Sequence, residues 1–145
     1  MLEKIKNIPG NKIVVFSSFF YIITAMLLSG KDNMVVSFLF LVFLTCLFYH
    51  SYPKNIYFRV ADWLASGFFA FYLIHFIYTH NFIDNTLHLT LASTLLILSI
   101  ISWVISLFFD REKNNLAYTL SHVFWHILSS IVIYIIVSSV AGGIL

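Results

Sequence analysis

The chain has 145 residues, 61% of them hydrophobic and only 10% charged, with a mean hydropathy of +0.95. Soluble domains carry about 25% charged residues, and one this small hides only about two-thirds of its surface. A soluble globular enzyme, a disordered chain and a disulfide-rich secreted scaffold are therefore excluded. A net charge of +2 with no clustered basic face leaves no nucleic-acid footprint.

The chain divides into uncharged apolar stretches separated by charges. The first, 13–30, follows a short basic start and ends at Lys31 and Asp32. It lacks a small-residue cleavage site, which argues for a retained helix rather than a signal peptide. The second, 33–53, contains the lone cysteine, Cys46, and ends beyond His50. Lys54, Arg59 and Asp62 mark the next boundary. The third stretch covers 63–83, Asp84 interrupts, and the fourth covers 85–109. A polar cluster from Asp110 to Asn115 precedes the fifth, which occupies most of the remainder.

A membrane-spanning helix needs about 17–25 mainly apolar residues, and lipid forces the backbone to satisfy its own hydrogen bonds. The pattern predicts an all-α, polytopic membrane protein forming a single transmembrane domain. Its five helices run at about 12–30, 34–52, 61–80, 86–109 and 117–141. With alternating topology, Lys4, Lys6, Lys12, Lys54, Arg59, Arg111 and Lys113 fall on one side and Lys31 alone on the other. Such a bias predicts that the first side, with the N-terminus, is cytoplasmic.

Four residues are not explained by hydropathy. His50 lies near the end of the second predicted helix and Asp62 at the start of the third. His122 and His126 lie in the first part of the fifth. Alternation places all four at one membrane depth. His122 and His126, four apart, share a helical face. Three imidazoles leave zinc an open position for water, and a carboxylate can orient a ligand or act as general base. Ionisable groups within lipid are costly and mark functional sites by default. The plainer reading makes Asp62 a helix-terminal carboxylate and the histidines interhelical hydrogen-bonding groups. His75, His80 and His88 gather towards the opposite side and are left out of the site.

Three elements in order resemble the CREST superfamily, which includes the alkaline ceramidases and the progestin and adiponectin receptors. The family pattern is Ser-x-x-x-His late in one helix, Asp early in the next, and His-x-x-x-His in the last. Here these are Cys46 to His50, Asp62, and His122 to His126, with Trp125 before the last histidine. The resemblance implies that His50, His122 and His126 bind zinc and that Asp62 contacts the attacking water. Cys46 takes the serine position, where the family's hydroxyl assists the substrate carbonyl; a thiol is a weaker donor. Tyr49 or Ser66 offers a hydroxyl nearby. The implied activity is hydrolysis of an amide or ester in a ceramide- or phospholipid-like membrane lipid, its chain lying near Phe68, Phe69 and Leu73. The family core usually has seven helices, so a five-helix chain calls for a pocket open to the bilayer or closed by a second copy. The alternatives are a non-enzymatic lipid- or partner-binding protein with a structural zinc, and a haem protein with axial histidines.

Overall fold

A computed structural model describes residues 12–80, 82, 86–111 and 115–141. Lys4, Lys6 and Lys113 of the charge count lie outside the described residues. The described chain is all helical: α1 (Lys12–Ser17), α2 (Phe19–Leu27), α3 (Asn33–Ser51), α4 (Ile56–Thr79), α5 (Thr86–Arg111) and α6 (Asn115–Ala141). The helices α3 to α6 are long and apolar enough to cross a membrane, and α1 and α2 together form a shorter apolar segment. At about 1.5 Å per residue, Lys12–Leu27 extends about 24 Å, less than the ~30 Å hydrocarbon core. The first apolar stretch is thus helical but shorter than expected and broken at Ser18.

The break has a local cause. Ser17 Oγ donates to the Val14 carbonyl at 2.8 Å, and Ser18 Oγ lies 3.4 Å from the same oxygen. The Ser18 amide is shared between the carbonyls of Val14 and Val15. Serine hydroxyls that bond back to the preceding turn bend helices. The following turn ends on Gly30, whose φ of 81° is in the left-handed region.

Asp32 then starts α3, accepting from the Val35 amide at 2.8 Å. Asn55 starts α4 in the same way, accepting from the Tyr57 amide at 3.0 Å. This cap places the first turn of α4 before Arg59, earlier than the charge pattern suggested. Between the two helices, Asn55 N–H closes on the Tyr52 carbonyl at 2.9 Å, with Pro53 inside the turn.

Each long helix presents one stripe to the interior. On α3 it is Val35, Leu39, Val42, Cys46 and His50. Ala65, Phe69 and Phe76 of α4 are buried at compatible spacing. On α5 the buried positions are small and seven apart, Ala92, Ser99 and Ser106, which lets α6 approach closely. The α5–α6 pair is the most extensive packing in the molecule, and α4 lies on α3. The broken first helix packs against both α3 and α6, while α4 and α5 make next to no contact among the described residues. Many large apolar side chains face outward, including Phe16, Trp63, Phe71 and Phe108, as lipid-facing residues do.

Candidate metal centre

The stripe of α3 changes chemistry along its length. Val35, Leu39 and Val42 are apolar; one turn further the same face carries Cys46, and another turn brings His50. The stripe of α6 holds His122 and His126 near its start, before Val132, Ile133, Ile136 and Val137. All four sulfur- or imidazole-bearing residues are buried, His126 being 1% exposed.

Their side chains converge. One donor atom each from Cys46, His50 and His126 lies within 4.8 Å of the others, a group able to coordinate a metal ion. Cys46 Sγ is 3.4 Å from His126 Nε2. The His122 ring stands edge-on beside this group, with centroids 4.7 Å from His50 and 4.9 Å from His126. The His50 and His126 rings are 5.7 Å apart. Sequence alternation had placed three histidines at one depth, and the structure brings the three rings into mutual contact.

The hydrogen bonds around the rings decide which nitrogens are available. Ser17 Oγ is 2.7 Å from His126 Nδ1. Where the Ser17 proton goes to the Val14 carbonyl, 2.8 Å away, the hydroxyl accepts and His126 carries its proton on Nδ1. That leaves the Nε2 lone pair facing Cys46. Ser106 repeats the arrangement on α5: its hydroxyl lies 2.7 Å from the Trp103 carbonyl and 3.2 Å from His122 Nδ1. Outer partners of this kind fix the tautomer of metal-binding histidines.

The environment continues outward. Ser18 Oγ lies 3.5 Å from Cys46 Sγ as donor. Tyr21 packs on the His126 ring at 5.4 Å and donates to Ser129 Oγ at 3.0 Å, the Ser129 proton being committed to the Trp125 carbonyl. Asp62 is not in the close group. Thr45 Oγ1 lies 3.2 Å from its Oδ1 and 3.1 Å from the Leu41 and Val42 carbonyls, which sets the start of α4 beside the residue before Cys46. Tyr49 stacks beside His50 at 4.6 Å and lies under the Arg59 guanidinium at 5.9 Å.

Phe68 and Phe69 do not line one wall. Phe69 stacks on Phe38 at 5.5 Å inside the bundle, whereas Phe68 points outward. His80 is occupied locally, its ring on Phe76 and its Nδ1 3.0 Å from both the Phe76 carbonyl and Thr79 Oγ1. Sequence reasoning missed Ser17, Ser18, Thr45 and Ser106. Each is a small hydroxyl in an apolar run, where packing is its usual role. The one available signal was the Ser17–Ser18 pair, at the same depth as the histidines.

No family model, curated protein or solved structure matches this chain. The donor set fits zinc by its chemistry, since thiolate and imidazole are the ligands that ion favours.

Proposed function

We propose that the protein is a zinc-dependent lipid hydrolase that cleaves an amide or ester bond of a ceramide- or phospholipid-like substrate. The buried group of Cys46, His50 and His126 carries this reading, because burying such donors at one end of an otherwise apolar bundle is costly without a function. His50 and His126 hold the ion from α3 and α6. His122, one turn before His126, is the third donor offered by the sequence spacing. Bound zinc supplies a Lewis acid and brings the pKa of a water towards neutrality.

The chain's own groups supply the rest. Thr45 holds Asp62 by Oδ1, leaving Oδ2 to accept a proton from the attacking water and later pass it to the leaving group. The hydroxyls of Ser17 and Ser106 keep His126 and His122 in the tautomer with Nε2 turned inward. The lack of packing between α4 and α5 supports lateral arrival of a lipid chain from the bilayer. The charge bias supports a site in the cytoplasmic half.

A structural zinc without turnover is the second reading, favoured by the full burial of the Cys46, His50 and His126 donors with the His122 ring packed against them. The test uses detergent-purified protein, measuring bound metal and hydrolysis of ceramides and phospholipids. About one zinc per chain is expected. Asp62→Asn should keep that zinc and lose ~100-fold or more in turnover, as expected for removal of a general base. Absence of zinc in folded protein would overturn the metal assignment. Zinc without any hydrolysis would leave the structural role.

A further inference from the structure

Given the metal site proposed above, we propose that Cys46, rather than His122, is the third protein ligand, and that the Ser17–Ser18 break supplies the outer shell of the site. The resemblance implies a group near the substrate carbonyl at position 46, but the surroundings of Cys46 suit coordination. Tetrahedral zinc with a bond of about 2.3 Å to sulfur and about 2.0–2.1 Å to nitrogen sets its S and N ligands about 3.5 Å apart. Cys46 Sγ and His126 Nε2 are separated by 3.4 Å. A donor atom of His50 completes a group whose members are all within 4.8 Å.

Protonation agrees with that geometry. With Ser17 accepting from His126 Nδ1, the nitrogen facing Cys46 bears the lone pair that coordination needs. In that tautomer the thiol donates to Nε2 across 3.4 Å. On binding, that proton leaves to solvent as the sulfur–metal and nitrogen–metal bonds form, so a dication is exchanged for one proton. Ser18 Oγ, 3.4 Å from the Val14 carbonyl and 3.5 Å from the sulfur, turns its proton from the carbonyl to the thiolate when the metal binds. Ser17 and Ser18 are thus positioning residues: consecutive in the chain, they reach two different ligands because neighbouring side chains leave a helix about 100° apart. One thiolate and two imidazoles leave a fourth position open. His122, held by Ser106, remains beside it as an uncoordinated imidazole.

X-ray absorption on the zinc-loaded full chain in detergent tests the ligand set directly. The expected spectrum has one sulfur neighbour at about 2.3 Å beside a nitrogen and oxygen shell at about 2.0–2.1 Å. The cobalt-loaded protein should show a thiolate-to-metal charge-transfer band. Cys46→Ser should abolish both sulfur signatures and weaken zinc binding by ~100-fold, measured by chelator competition, whereas His122→Gln should retain them with one zinc per chain. Ser18→Ala should weaken binding ~10-fold, with Ser18→Thr restoring it. A nitrogen- and oxygen-only shell in wild-type protein, with His122→Gln losing zinc, would overturn the thiolate assignment and leave a three-histidine centre. Wild-type protein that takes up no zinc would overturn the metal reading together with this one. The wild-type and His122→Gln spectra decide the matter even if Cys46→Ser fails to fold.

Discussion

The two ends of the helix bundle are built on different principles. At one end Leu28, Val35, Leu39, Ile136 and Val137 form a mainly apolar core. Its polar contacts are peripheral: Tyr72 donates to Asp32 at 3.3 Å, and Lys31 lies 5.9 Å from the Tyr134 ring. At the other end the same helix stripes carry Cys46, His50, His122 and His126, with hydroxyls from α1 and α5 closing on the rings. Lipid tails are as apolar as leucine, so the first end is held by close packing rather than by expulsion of water. The second end is held by hydrogen bonds whose loss strands buried polar groups. The contrast separates residues that stabilise the bundle from those kept for a bound group.

Substitutions at each end should therefore fail in different measurements. The largest effect is expected for His126→Ala, which removes the ring shared by Cys46, Ser17 and Tyr21. Zinc content should fall below detection, and retention of one zinc per chain would remove His126 from the ligand set. Leu39→Ala should lower stability by about 2 kcal/mol through a packing cavity, while zinc content and coordination stay unchanged. Thermal unfolding in detergent, read beside metal analysis, checks this. A matched loss of zinc would show that the two ends are coupled. The smallest effect is expected for Asp32→Ala, about 1 kcal/mol, from loss of the cap on α3. It also removes the acceptor of Tyr72, so a Tyr72→Phe variant apportions the loss between cap and tether.

The membrane class of the fold and the apolar stretches were legible because lipid imposes a length and a composition on any helix that crosses it. The meeting of three histidines was legible for a related reason: alternation fixes depth, and i, i+4 spacing fixes a face. The break at Ser18 was not legible, since serines in an apolar run more often ease helix packing. Nor was the role of Cys46. It shares a face with His50, but its approach to His126 depends on how α3 is rotated against α6. Asp62 shows the same limit. Its depth was readable, yet only the packing of α4 on α3 gives its carboxylate to Thr45.

The sequence by itself determined that this chain belongs in a bilayer and that its metal-binding residue types gather towards one end. Composition and axial position were enough for that, because both are properties of individual segments. Tertiary structure decided which atoms face one another: the sulfur of Cys46 against Nε2 of His126, and the Ser17 hydroxyl against Nδ1 of the same ring. These depend on helix rotation and on a bend in a neighbouring segment, which no single stretch of sequence specifies.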